Sequence, residues 1–216
     1  MRVSRLWGAA VSALLLFPAG VAGQPQEEGS VDEGRTALVI IDIQNFYFEG
    51  GKVPLTGPVE ASLKAKALLG GFREKGWPVV HVQHLPKDVA DPDLEIADAQ
   101  YRIHPNVLPL AGETLIGKHH ANSFRDTTLL AHLREQNVSR LVVAGMQTHM
   151  CVEAATRAAA DLGFEVTVIH DACATRPLSF GDVKIPAPQV HAAALAAMSG
   201  SYADVMSAEE WLSKLR

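Results

Sequence analysis

The apolar positions of this chain fall into short continuous runs alternating with longer amphipathic ones. Thr36 to Asp42 reads TALVIID, a β-branched run ending at a carboxylate, as expected of a strand buried on both faces of a parallel sheet. The segment 59–75 carries Leu63, Ala67, Leu68 and Phe72 at helical spacing, and Gly76 with Pro78 stops it before a second strand over 79–83. A strand–helix–strand unit follows from that order.

From 85 to 114 the chain is rich in Pro, Asp and Ala with weak periodicity, which predicts a long excursion with one short helical turn. Excursions of this length commonly cover active sites. Beyond it the pattern predicts strands over 114–118, 140–146, 165–170 and 203–206. Helices are expected over 127–135, 151–162, 189–199 and 208–215. Strands interleaved with helices predict an α/β fold, an open parallel sheet covered on both faces. In such sheets ligands sit beyond the carboxyl ends of the strands, at a topological switch point.

The amino terminus follows a different pattern. Arg2 and Arg5 precede an apolar run from Leu6 to Phe17 and the small-residue stretch PAGVAG at 18–23, the layout of a secretory signal peptide. The run is shorter than the ~18–20 residues needed to span a bilayer. Residues 1–23 are therefore expected to be removed, and the acidic, aperiodic residues 24–35 to form a flexible leader. A retained amino-terminal anchor is the alternative. The domain then covers 36–216, about 180 residues, enough for one sizeable core. Without Arg2 and Arg5 the 19 basic residues become 17 against 24 acidic ones, a formal charge of −7. That balance argues against a nucleic-acid partner, and the signal-peptide layout predicts an exported protein, periplasmic or secreted, with no membrane association after cleavage.

Three predicted strands lead to reactive side chains: Asp42 after the first, Lys118 after the third and Cys151 just past the fourth. Parallel strands bring all three to one rim. Alone, each has an ordinary reading as a cap, a solvated cation or a core thiol; together they describe a nucleophile with charged partners. Cys151 is expected to open a helix, whose unpaired amides and dipole favour the thiolate, with Lys118 acting in the same direction. Asp42 can take the thiol proton and return one to a leaving group, and backbone amides of the preceding turn can hold an oxyanion. Only one other cysteine occurs, Cys173. A disulfide would silence the nucleophile, so two free thiols are expected, Cys173 as a small buried hydrophobe.

At ALVIIDIQNFYFEGG (37–51), IGKHHANSF (116–124) and VVAGMQTHMCVEAATRAAADLGFEVTVIHDACAT (142–175) the chain resembles the isochorismatase-like hydrolases, a superfamily that includes nicotinamidases, N-carbamoyl amide hydrolases and a streptothricin hydrolase. The resemblance implies a three-layer αβα sandwich with a mostly parallel, Rossmann-like sheet, and an Asp–Lys–Cys triad at Asp42, Lys118 and Cys151. It implies a non-proline cis peptide between Met146 and Gln147, aiming the amides of Gln147 and Cys151 at one point as an oxyanion hole. Since isochorismatases that cleave a vinyl ether lack the cysteine, the chain sides with the amidase branch. A homo-oligomer acting on a small molecule is expected, with Gln44, Phe48, His84, Phe124 and His149 as substrate-binding residues. Nicotinamidases carry an Asp-x-His metal pair after the second strand, where this chain has His84-Leu85-Pro86, with His104 later; no metal and no cofactor are expected. Of His119 and His120, neighbours on an extended segment, at most one should face the site. Two other readings stand beside amide hydrolysis: a vinyl ether or ester hydrolase, and a non-catalytic binding domain on the same fold.

Overall fold

The computed structural model describes residues 34–86, 89 and 98–215; the expected signal peptide and nearly all of the leader lie outside them. Six parallel strands form the central sheet: β1 (Arg35–Ile41), β2 (Val79–His84), β3 (Thr114–Lys118), β4 (Val138–Met146), β5 (Glu165–Ala174) and, out of chain sequence, β8 (Asp204–Met206). Their order is β3-β2-β1-β4-β5-β8. A short antiparallel hairpin, β6 (Leu178–Phe180) with β7 (Val183–Ile185), stands apart from that sheet. Because the chain moves outward from β1 to β3 and then crosses to β4 on the other side, the switch point lies between β1 and β4.

Five α-helices cover the sheet: α1 (Pro58–Lys75), α2 (Leu129–Glu135), α3 (Glu153–Asp161), α4 (Ala187–Met198) and α5 (Ala208–Ser213). Alternation along each strand divides the core in two. Leu38 and Ile40 of β1 face α1 and α5, where Phe72 stacks on Trp211 at 4.8 Å between ring centroids. Ala37, Val39 and Ile41 face the opposite layer, with Leu129 and Leu133 of α2 and Ala155 and Ala159 of α3. The three-layer αβα arrangement is present. Among the described residues no helix is long and apolar enough to cross a membrane.

Several elements differ from the sequence reading. The buried stripe of α1 is Ala61, Ala65, Leu68, Leu69 and Phe72, while Leu63 and Ala67 face solvent. Alanines are weakly hydrophobic, so the leucine at 63 drew the expected stripe away from the buried face. Two 3₁₀ turns, 99–101 and 105–107, stand in the described part of the excursion rather than one. The strand expected to end at 170 runs on as β5 to Ala174, and the β6–β7 hairpin was not anticipated. Cys151 does not open α3; it lies inside a π-helical turn, Thr148–Val152, placed ahead of that helix.

Candidate active site

The carboxyl ends of β1, β3 and β4 deliver three side chains to one place. Asp42 follows β1 directly and is fully buried, its backbone in the left-handed region at φ 52. A non-glycine residue held there costs about 1–3 kcal/mol, a cost the surrounding structure has to carry. Lys118 ends β3 and is also buried; its Nζ lies 2.8 Å from Asp42 Oδ2 and donates a hydrogen bond to the Ala121 carbonyl at 3.1 Å. Despite that proximity, neither Asp42 oxygen has a well-aligned hydrogen-bond donor. Burial works against the Lys118 ammonium, but the Asp42 charge, followed by Cys151, more than offsets it and the lysine is held above its ordinary range.

The strands can approach closely here because of Gly145. At φ 143, its Cβ position would fall 2.0 Å from the Ile41 carbonyl oxygen, so only glycine lets β4 pass β1 one residue before Asp42. The next peptide but one, Met146–Gln147, is cis. The π-helical turn then carries Cys151 to the rim, where the thiol is 7 % exposed. Thr148 Oγ1 hydrogen-bonds His191 at 2.9 Å, and His149 Nδ1 bonds the Thr175 hydroxyl at 2.5 Å, tying the turn to α4 and to the end of β5.

The electrostatics of the thiol differ from the sequence expectation. Burial first, and then the Asp42 charge, push the Cys151 thiol up to about 12, outweighing the opposing pull of Lys118. A helix terminus and a lysine favour a thiolate only where no carboxylate shares the site. Cys151 therefore rests as a thiol. Cys173, inside β5, is buried and is likewise a free thiol.

A cavity of ≈ 270 Å³ opens over Cys151. Of the expected site residues, Cys151, Gln147 and His84 line it, while Asp42 and Lys118 stand behind the thiol. The remaining walls are Phe46, Tyr47, Val53, Tyr101, Ala121 and Met150, with Lys52 at the mouth, bonded to Asp98 and above the Tyr101 ring. Burial keeps His84 below the usual histidine range, so it is neutral near pH 7.

Four residues expected to bind substrate are not among the lining residues. Gln44 is buried with both amide hydrogens used, Nε2 donating to the carbonyls of His84 and Tyr101, while Oε1 accepts from the His84 amide. It ties the end of β2 to the turn at Tyr101. Phe48 stacks on His104 at 3.6 Å, Phe124 packs against Phe164 in the opposite core layer, and His149 is committed to Thr175. His119 is exposed and His120 pairs with Asp126 at 3.2 Å, so neither faces the cavity. His84 lines the cavity and His104 stacks on Phe48. No group of three or more His, Cys, Asp or Glu among the described residues is placed to hold a metal ion.

Phe46, Tyr47 and Tyr101 were missed in the sequence. Phe46 and Tyr47 sit in a 3₁₀ turn (Asn45–Tyr47) that points both rings inward, and Tyr101 comes from the excursion. Two adjacent aromatics after a strand-end carboxylate were the available signal.

The family model for the isochorismatase domain matches residues 36–210. This chain belongs to the isochorismatase family. It is 45% identical over 177 residues to the isochorismatase family protein YddQ of Bacillus subtilis, covering 82% of this chain and 98% of that one. The crystal structure of an isochorismatase hydrolase homologue from Oleispira antarctica matches with a TM-score of 0.79 and 46% identity, covering 86% of this chain and 100% of the other. A maleamate amidohydrolase from Pseudomonas putida is 28% identical, with 84% of this chain and 87% of that protein covered. The chain is thus a hydrolase of the isochorismatase family, a family that contains amidohydrolases.

Proposed function

We propose that this chain hydrolyses an amide or related C–N bond of a small molecule through a thioester on Cys151, with Asp42 and Lys118 as its charged partners. The observation that carries the reading is the buried carboxylate of Asp42, beside an ammonium and the Cys151 thiol, with no well-aligned donor on either oxygen. A carboxylate in that state is ready to accept a proton. The amidohydrolase activity named for the Pseudomonas relative supports the choice of bond.

In the proposed cycle the thiol proton passes to Asp42 as sulfur adds to the substrate carbonyl carbon. The resulting oxyanion is held by the backbone amides of Gln147 and Cys151. The C–N bond then breaks as Asp42 gives its proton to the departing nitrogen, leaving the acyl group on sulfur. Water, losing a proton to Asp42, attacks the thioester, and the released sulfur recovers that proton. Lys118, 2.8 Å from Asp42 Oδ2, holds that carboxylate in place between steps. A thiol that ionises only as it attacks is spared oxidation while the site is empty, since the thiolate is the reactive form.

The test is incubation with amides, N-carbamoyl compounds, esters and vinyl ethers, following ammonia and acid release, with mass spectrometry for an acyl adduct on Cys151. Turnover of amides with an adduct that Cys151→Ala abolishes is expected; turnover of the vinyl ether alone would overturn the reading. Export and assembly into a homo-oligomer form part of the proposal. Amino-terminal sequencing of the mature protein and its mass in solution test them.

A further inference from the structure

We infer that Tyr47 is a further catalytic residue: its phenolic O–H donates a hydrogen bond to the substrate oxygen that becomes the oxyanion. The inference rests on the acyl-transfer reading above but not on the nature of the leaving group.

The argument runs through the hydrogen-bond polarity of Gln147. Arg176 Nε lies 3.1 Å from Gln147 Oε1, and since a guanidinium only donates, the oxygen of that amide must face it. The Gln147 Nε2 group then faces Tyr47 and donates to its hydroxyl oxygen at 3.3 Å. The tyrosine oxygen is an acceptor in that bond, so its own hydrogen remains to be donated elsewhere.

That hydrogen has no acceptor among the described residues. Among the described residues the bond from Gln147 is the one side-chain hydrogen bond that Tyr47 makes. Asp42, the nearby carboxylate, does not receive it, because no hydrogen bond joins Tyr47 to either Asp42 oxygen. Tyr47 is 6 % exposed and lines the cavity with Cys151 and Gln147, so the remaining direction is toward a bound molecule. A buried donor without a partner is costly, and an oxygen bearing developing charge is the acceptor that repays it best. Burial and the Asp42 charge hold the phenol above its usual range, so it stays protonated at every working pH. Neighbouring Phe46, its ring centroid 4.1 Å away, fixes the tyrosine ring.

Two reactions at the same sulfur separate this role from a structural one. In acylation by p-nitrophenyl acetate, sulfur bonds to the carbonyl carbon, an oxyanion forms, and p-nitrophenolate leaves. In alkylation by iodoacetamide, sulfur displaces iodide from a methylene carbon and no oxyanion appears. Both lose the thiol proton. Tyr47→Phe keeps the ring and should slow acylation of Cys151 by about 10²-fold, the cost of one oxyanion donor, while alkylation stays within twofold. Replacement of Tyr47 by 3-fluorotyrosine, which keeps a more acidic hydroxyl, should acylate at least as fast as the native protein. Cys151→Ala corrects both rates for Cys173.

Parallel loss of acylation and alkylation in Tyr47→Phe would mean that the turn bearing Cys151 had shifted, and would overturn the inference. So would unchanged acylation, or a native protein that the ester does not acylate. If the acylation split is found but no amide is turned over, the donor role stands and the amide reading falls.

Discussion

Lys118 Nζ and Asp42 Oδ2 stand 2.8 Å apart with both side chains fully withdrawn from solvent, although they come from strands separated in the sheet by β2. The pair is the charge frame of the site. It also sets opposite signs on the two reactivities of Cys151. Asp42 raises the thiol and Lys118 lowers it, whereas turnover needs both.

Asp42→Asn is therefore expected to make the thiol more reactive and the enzyme inactive. Without the carboxylate charge the Cys151 thiol falls from its raised position, so iodoacetamide at pH 8 should modify it faster than in the native protein. Turnover should fall by about 10²–10⁴-fold because no group carries the proton to the leaving nitrogen. Slower alkylation, or turnover near the native rate, would sink the assignment. In the native protein the alkylation rate should keep rising above pH 9 with no plateau near the ordinary thiol value, since thiolate accumulates only toward about 12.

Lys118→Met removes the cation and keeps the chain length, leaving the Asp42 carboxylate buried and alone. Breaking a buried pair on one side costs about 3–5 kcal/mol, much of it the stranded charge. Asp42→Asn combined with Lys118→Met should recover a large part of that loss, because no lone charge remains. Urea unfolding of the native protein, the two single variants and the double variant measures the coupling. Additive losses would show that the charges do not interact.

How far the sequence discloses this arrangement depends on range. The alternation of apolar runs with helical stretches carries the sheet and its covering helices. The strand-end rule places Asp42, Lys118 and Cys151 at one rim because all the strands involved are parallel. What it misses is decided across the fold. Gln44 reads as a polar residue near the site, but its amide is spent on His84 and Tyr101, partners 40 and 57 residues away. Likewise Cys151 reads as an activated thiol beside a helix start and a lysine. The buried carboxylate of Asp42, more than a hundred residues earlier, reverses that sign. Local pattern cannot supply a balance between two charges and a thiol brought together from three separate elements.

At the edge of the sheet Glu113 is bound by Arg73 through two oxygens, at 2.6 and 2.8 Å, and by buried His81 at 2.9 Å. Burial opposes its charge, but Arg73, the Leu110 amide and His81 outweigh this and hold the carboxyl at about 2. A folded-state value below the unfolded one stabilises the protein above about 4.5 and loses that contribution as pH falls toward 2. Glu113→Gln should thus lower the urea midpoint at pH 7, with the difference from the native protein shrinking steadily between pH 5 and about 2. A gap that stayed constant with pH would mean the carboxylate charge is not what the cluster uses.

The last expectation concerns Gly145, which touches no substrate and carries no chemistry. Its φ of 143 is poorly tolerated by any L side chain, and an added Cβ would meet the Ile41 carbonyl oxygen at 2.0 Å. Because that oxygen belongs to backbone, it cannot swing aside as a side chain does. Gly145→Ala must push β4 away from β1 at the residue before Asp42, and the cis-linked Gln147 and the turn bearing Cys151 move with it. The loss of stability should exceed the ~0.5–3 kcal/mol of an ordinary substitution. In whatever fraction folds, acylation and alkylation of Cys151 should both change, unlike in Tyr47→Phe. A well-folded Gly145→Ala protein with native turnover would show that the closeness of β1 and β4 is not what aligns Asp42 with the thiol.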